Sequence, residues 1–252
     1  MSETNGNRAL AGRRAFVTGA AQGLGEAIAR ALHEAGARVA VTDVDVAGAE
    51  AVAAGLGEGA FALSCDVRER ASLAAAAERT IDAFGGIDIL VNNAAVTVRR
   101  PFFEISQEEW DDVIDVNLRG VFFGCQVIGE HLRDAGWGRI VNLSSISGQS
   151  PGGIASAHYG ASKAGIMLVT KVAAYELAAA GVTVNTIAPA AIDGPVMRAL
   201  PDEIRNGYGT RIPGGRIGTP EEVGALTVFL CSDLAGYITG ATYDINGGLL
   251  MR

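Results

Sequence analysis

Short apolar runs alternate with longer amphipathic or alanine-rich stretches along nearly the whole chain. Runs at 14–18, 38–42, 60–64, 87–91, 138–143, 182–188 and 241–245 are bounded by glycine or polar residues and predict strands. Several are apolar at consecutive rather than alternate positions, the pattern of strands buried on both faces. Segments at 24–35, about 46–54, 69–84, 107–133 with an interruption, 158–180 and 220–231 carry helical spacing. Regular alternation of strand and helix predicts an α/β chain. The expected architecture is one doubly wound parallel sheet, with helices on both faces, forming a single domain over 1–252. Residues 1–10 are expected to be flexible, and the Gly- and Pro-containing stretch 192–215 reads as a mobile lid over a substrate site. Ligands of such sheets bind beyond the carboxyl ends of the strands. Gly19, Asp43, Asp66, Asn93, Ser145 and Pro189 all fall at that edge.

Three local patterns give that edge a chemistry. Tyr159 and Lys163 stand four residues apart at the start of a predicted helix, hence on one face. A cation held beside a phenol lowers its pKa; moving it from about 10 to about 7 asks roughly 4 kcal/mol of the neighbour. A phenolate accessible near neutral pH is a general base for an alcohol and, in reverse, a general acid for a ketone. Upstream, an apolar run ends at Thr18, glycines follow at 19, 23 and 25, and a helical pattern begins. Strand, glycine turn and helix form a Rossmann-type phosphate cradle, in which bare backbone approaches a pyrophosphate at a helix N-terminus. The second strand ends in Asp43, placed to accept hydrogen bonds from the hydroxyls of an adenosine ribose and to repel a 2′-phosphate. Gln22 and Val44 offer that phosphate no cation, so NAD is the expected cofactor.

Composition narrows the setting. A formal charge of −8 argues against nucleic acid or an anionic membrane as partner. No apolar run reaches membrane-spanning length, and the N-terminal residues show no signal-peptide pattern. Cys65, Cys125 and Cys231 are scattered in apolar surroundings and read as buried thiols of a cytoplasmic protein. The three histidines lack ligand spacing, and no metal is expected.

The motifs Thr18-Gly19-x-x-x-Gly23-x-Gly25, Asp66-Val67, Asn92-Asn93-Ala94-Ala95, Asn117, Ser145 and Tyr159-x-x-x-Lys163 occur in one order. In these the chain resembles the short-chain dehydrogenase/reductase family, from about residue 8 to 250. The resemblance implies catalytic roles for Asn117, Ser145, Tyr159 and Lys163. It implies cofactor contacts from Gly19, Gln22, Gly23, Leu24, Gly25, Asp43, Asp66, Val67, Asn93, Tyr159, Lys163 and Ile192. Ser145 would orient the substrate oxygen. Asn117 would bend its helix and hold a water that relays protons from Lys163. The chain departs from the family pattern at Gly194, where a Thr usually helps hold the nicotinamide carboxamide; backbone, Asp193 or water must serve instead. Ala95 replaces a usual glycine, and the gap from Ser145 to Tyr159 is one residue longer than expected, with the extra length placed in Gly152-Gly153-Ile154. Within the family the tail Asn246-Gly-Gly and Glu108-Glu-Trp-Asp-Asp112 look most like 3-oxoacyl-(acyl carrier protein) reductases. Those are mostly NADPH enzymes, so Asp43 favours an NAD-linked enzyme interconverting a secondary alcohol and a ketone, with the thioester reductase as alternative. A nucleotide-sensing regulator without turnover is the remaining reading. Pocket positions Val96, Gln149, Ile154, Val196, Met197 and Tyr208 imply a moderately apolar cavity. The helix near 158–180 is apolar around much of its circumference, which with the resemblance implies a homotetramer.

Overall fold

The computed structural model describes residues 8–151 and 156–251. Seven strands form one sheet: β1 (Arg14–Thr18), β2 (Arg38–Asp43), β3 (Ala60–Ser64), β4 (Ile89–Asn92), β5 (Gly138–Leu143), β6 (Val182–Pro189) and β7 (Thr242–Ile245). Their order is β3-β2-β1-β4-β5-β6-β7, and every neighbouring pair is parallel. Six long helices cover it: α1 (Gly23–Glu34), α2 (Val46–Leu56), α3 (Arg70–Phe84), α5 (Gly120–Ala135), α6 (Ala157–Leu177) and α9 (Pro220–Cys231). Between α3 and α5 lies the short helix α4 (Gln107–Ile114), and α7 (Pro195–Arg198) and α8 (Asp202–Arg211) precede α9. The chain reverses at the β1–β4 junction, where a crevice opens at the carboxyl edge.

Alternate residues of each strand feed two cores. Val17, Val41 and Val91 pack with Ile28 and Leu32 of α1, Val52 of α2 and Val223 and Leu230 of α9. Phe16, Leu90 and Ile140 pack on the opposite face with Leu73 of α3, Ile128 and Leu132 of α5 and Ile166 of α6. This two-sided burial explains the uninterrupted apolar strands of the sequence. Leu10 is buried, and its N–H donates to Ala35 O at 2.9 Å. The chain is therefore anchored at the inner end of the stretch expected to be flexible; residues 1–7 lie outside the described region.

The predicted elements are present with shifted bounds. The segment expected as one interrupted helix at 107–133 is α4, a π-helical turn at Asp115–Arg119, and α5. Ser106 caps α4 by accepting from Glu109 N at 3.1 Å. The stretch 192–215, expected as a lid, contains α7 and α8 and has a small core of its own around Ala191, Met197 and Ile212.

Through the second core runs a buried polar chain. Asn92 Nδ2 on β4 donates to Asn142 Oδ1 on β5 at 2.8 Å, and Asn142 Nδ2 donates to Thr170 Oγ1 on α6 at 2.9 Å. Thr186 Oγ1 on β6 donates to the same Thr170 oxygen at 2.8 Å. All four residues are almost inaccessible to water, so each lost bond strands a buried polar atom. Thr170→Val keeps the shape but removes the acceptor shared by Asn142 and Thr186. It should lower stability by about 1–3 kcal/mol, read as a lower urea midpoint at unchanged slope.

Candidate active site

The carboxyl edge of the sheet opens into a cavity of about 780 Å³. Gly19, Gln22, Gly23, Leu24, Gly25, Asp43, Asp66, Val67, Asn93, Ser145, Tyr159, Lys163 and Ile192 all line it. The expected site residues thus converge from six loops on one cleft, with one exception. Asn117 is fully buried behind the wall, in the π-helical turn.

At the β1 end the backbone is shaped for close approach. Gly19 has φ +65°, and a Cβ there would lie 2.6 Å from Ala94 Cα. A Cβ on Gly25 would collide with Gly19 O and with the Asn93 amide. That amide donates to Thr18 O at 3.0 Å and Gly19 O at 2.8 Å, so Asn93 fixes the glycine turn itself. Thr18 Oγ1 in turn accepts from the N–H groups of Asn93 and Ala94 at 3.0 and 3.1 Å. Gln22 precedes α1 without capping it through its side chain, which leaves the first N–H groups of the helix facing the cleft. A bare-backbone cradle at a helix N-terminus fits the diphosphate of a dinucleotide.

Next along the edge, Asp43 Oδ2 accepts from Ala21 N and Oδ1 from Asp45 N, both at 3.0 Å. These bonds fix the carboxylate at the end of β2, with exposed Val44 beside it. Asp66 pairs with Arg68 at 2.6 Å, which holds its carboxyl below the usual range. Val67 packs where a Cβ on Gly120 would otherwise sit.

The catalytic group is assembled by a second close approach. The turn after β5 lies directly on α6: a Cβ on Gly148 would be 2.6 Å from Lys163 C, and one on Gly160 would be 3.0 Å from Ser147 O. Ser144 Oγ donates to Lys163 O at 2.7 Å and fastens the two elements. Ser145 and Thr97 line the cavity with Tyr159, and both hydroxyls favour its ionised form. Thr97 was not singled out in the sequence, where nothing in the loop 93–100 marks it. Lys163 is buried, and its Nζ donates to Leu143 O at 2.8 Å while standing 5.5 Å from the centroid of the Tyr159 ring.

The electrostatic direction differs from the sequence expectation of a depressed phenol. Burial pushes Tyr159 above its ordinary value, partly offset by Ser145 and Thr97. Burial also pulls Lys163 down to about 7. Both charged forms lose water, and the lysine faces a carbonyl rather than a carboxylate, so desolvation dominates in the free chain.

Asn117 sits in the π-helical turn that interrupts its helix, where a bend was expected. Its Oδ1 accepts from Val96 N at 2.8 Å, and its Nδ2 donates to Val96 O at 3.0 Å and Ser162 Oγ at 3.2 Å. The side chain thus ties the Val96 backbone to Ser162 of α6. At the departure from the family pattern, Asp193 lines the cavity and pairs with Arg198 at 2.9 Å. Ile192 bridges to Gly218 in parallel register. Of the expected pocket residues, Val96, Met197 and Tyr208 line the cavity, whereas Gln149 donates to Asp244 Oδ1 at 2.6 Å. Gly152, Gly153, Ile154 and the Val196 side chain lie outside the described residues. Arg68 and Arg211 line the cavity and were missed, since an isolated arginine carries no spacing signal.

A family profile described as enoyl-(acyl carrier protein) reductase matches residues 19–250. The 3-oxoacyl-(acyl-carrier-protein) reductase FabG of Vibrio cholerae is 40% identical over 242 residues, 96% of this chain and 99% of that protein. D-threitol dehydrogenase of Mycolicibacterium smegmatis is 42% identical over 257 aligned positions, covering 96% and 95%. A solved structure described as a short-chain alcohol dehydrogenase from Sinorhizobium meliloti 1021 superposes with a TM-score of 0.89 at 40% identity, covering 95% of this chain and 97% of that one. With the parallel seven-stranded sheet, the glycine cradle and the Tyr159–Lys163 pair on one cleft, the chain belongs to the short-chain dehydrogenase/reductase family, oxidoreductases that act on CH–OH groups with a nicotinamide cofactor.

Proposed function

We propose that this protein is an NAD-linked dehydrogenase/reductase that interconverts a secondary alcohol and a ketone, with Tyr159 as the general acid–base. The observation that carries the reading is the Tyr159 phenol, sharing the cavity wall with Ser145 and Thr97 and one helical turn from Lys163, in a cleft with a diphosphate cradle. Held by the glycine cradle and Asp43, NAD would supply the hydride acceptor for a carbinol carbon, and its reduced form the donor for a ketone carbon. The chain handles the other half of the balance. In oxidation the hydroxyl proton passes to Tyr159 as phenolate; in reduction the phenol gives it to the developing alkoxide. Ser145 donates to the substrate oxygen as charge grows there. Lys163 favours the phenolate whenever its amine is protonated, and it would hold the nicotinamide-side ribose. Asn117 keeps Thr97 and α6 in place. Similarity to FabG supports a second reading, reduction of a 3-oxoacyl thioester, and similarity to D-threitol dehydrogenase supports oxidation of a small polyol.

Asp43 supports NAD over NADP. Its fixed carboxylate suits two ribose hydroxyls and opposes a 2′-phosphate, and Arg68 on the same wall is already paired with Asp66. We also infer a cytoplasmic protein: Cys65, Cys125 and Cys231 are buried free thiols pushed up to about 12, and no described helix is long and apolar enough to cross a membrane. A homotetramer is supported by Leu168, Val172 and Tyr175, an exposed stripe at helical spacing on α6, with Phe122 exposed on α5.

Each part has a direct check. NAD should exceed NADP by at least about tenfold in kcat/KM, or 1.4 kcal/mol, and Asp43→Ser should erode that ratio. Equal efficiencies in the unaltered enzyme would remove the assignment. Tyr159→Phe should cut turnover by about 10² or more while a fluorescence titration still shows NAD binding. Because burial raises Tyr159 and oxidation needs its deprotonated form, alcohol oxidation should accelerate as pH rises above neutral, and ketone reduction should slow. A flat profile in both directions would contradict this role for Tyr159. Light scattering at micromolar concentration should give four times the chain mass; a monomer would refute the tetramer.

A further inference from the structure

Four arginines stand on or beside the segment that closes the substrate half of the cleft. Three of them are neutralised by acids close at hand: Arg198 by Asp193 at 2.9 Å, Arg205 by Asp202 at 2.6 Å and Arg216 by Glu222 at 2.6 Å. The fourth is Arg211, in the last turn of α8, and it is the one that lines the cavity. Among the described residues it makes no side-chain hydrogen bond or ion pair. The chain has 28 acidic residues against 20 Lys and Arg, so acids were available to pair it, as they pair its neighbours. Its place at a helix C-terminus suits a cation but supplies no specific side-chain partner.

Tyr208 lies three residues earlier, on the same face of α8, and lines the same cavity. Its hydroxyl is likewise without a partner among the described residues. Arg211 is exposed at the cavity mouth, and a guanidinium and a hydroxyl three residues apart on one helix can both donate to an oxyanion there. Tyr208 packs in a small apolar cluster with Met197, Ile212 and Leu249, of which Met197 and Leu249 also line the cavity. The cleft acids Asp43, Asp66 and Asp193 belong to the opposite end or are already paired. A hydrocarbon stretch between the reacting carbon and a terminal anion matches this lining.

We propose that Arg211, assisted by Tyr208, receives an anionic group of the substrate, a carboxylate or a phosphate ester, at the end remote from the carbinol. The assignment deepens the dehydrogenase reading and rests on it. The substrate class is then an acidic hydroxy compound, not a neutral polyol.

Matched pairs test it. 3-Hydroxybutanoate and 3-hydroxybutyl phosphate are each compared with butane-1,3-diol, which keeps the secondary carbinol and lacks the anion. With NAD, kcat/KM should be at least tenfold higher for one or both anions, mainly through KM, and the better of the two identifies the group. Arg211→Met should erase the preference, Arg211→Lys should retain part of it, and the Kd for NAD should stay as in the unaltered enzyme. Pentanoate should also inhibit oxidation of the diol more strongly than pentan-1-ol does, and only when Arg211 is present. The proposal is overturned by equal efficiencies within the pairs, by a preference that survives Arg211→Met, or by an Arg211→Met enzyme whose main defect is NAD binding. Turnover of the diol in any of those cases leaves the dehydrogenase reading standing. Absence of turnover with every pair and with a wider alcohol panel would sink that reading and this assignment together.

Discussion

The cleft depends on backbone lying closer to backbone than a side chain would permit. The turn after β5 rests on α6 at Gly148 and Gly160, and the turn after β1 rests on the β4 loop at Gly19 and on α1 at Gly25. An alanine methyl at Gly148 would overlap the Lys163 carbonyl carbon and would lift the turn. Ser145 rides on that turn, so the lift would separate its hydroxyl from Tyr159. The glycines that look like punctuation in the sequence are therefore spacers of zero thickness, and the two halves of the site are held by the same device.

The same closeness strips water from the catalytic pair. With Lys163 buried against Leu143 O and Tyr159 packed beneath the β5 turn, neither charge is welcome in the free protein. A positively charged lysine beside a phenolate is favourable only once both charges exist, and isolated burial opposes each of them. The fold thus supplies a dry enclosure in which any charge or hydrogen-bond donor near the pair acts more strongly than in water.

Much of this was legible in the sequence because it is local. Strand, glycine turn and helix are contiguous, the Tyr159–Lys163 spacing is one turn of helix, and Asp43 closes an apolar run. What escaped is tertiary. Thr97 and Arg211 come to the cleft from loop and helix positions that have no pattern around them. The residue type of Asn117 was informative, but its buried amide serves the Val96 backbone and Ser162, contacts between segments that spacing does not encode. A spacing argument counts the cation beside Tyr159 and carries no information on depth of burial, which raises the phenol in the free chain.

The polar chain from Asn92 to Thr186 has a mechanical meaning for α6. Apolar packing alone tolerates a helix sliding or rolling on a sheet, since one aliphatic surface substitutes for another. The Thr170 hydroxyl, bonded to two strands at once, does not tolerate it. Thr170 and Tyr159 are separated by about three helical turns and share a face, so the bolt at one end of the rod sets both the height and the angle of the phenol at the other. A slip by one residue would turn Tyr159 by about 100° and advance it about 1.5 Å, enough to aim it away from the cleft. Alignment of the reactive oxygen is thus gauged from deep within the sheet, out of reach of any ligand.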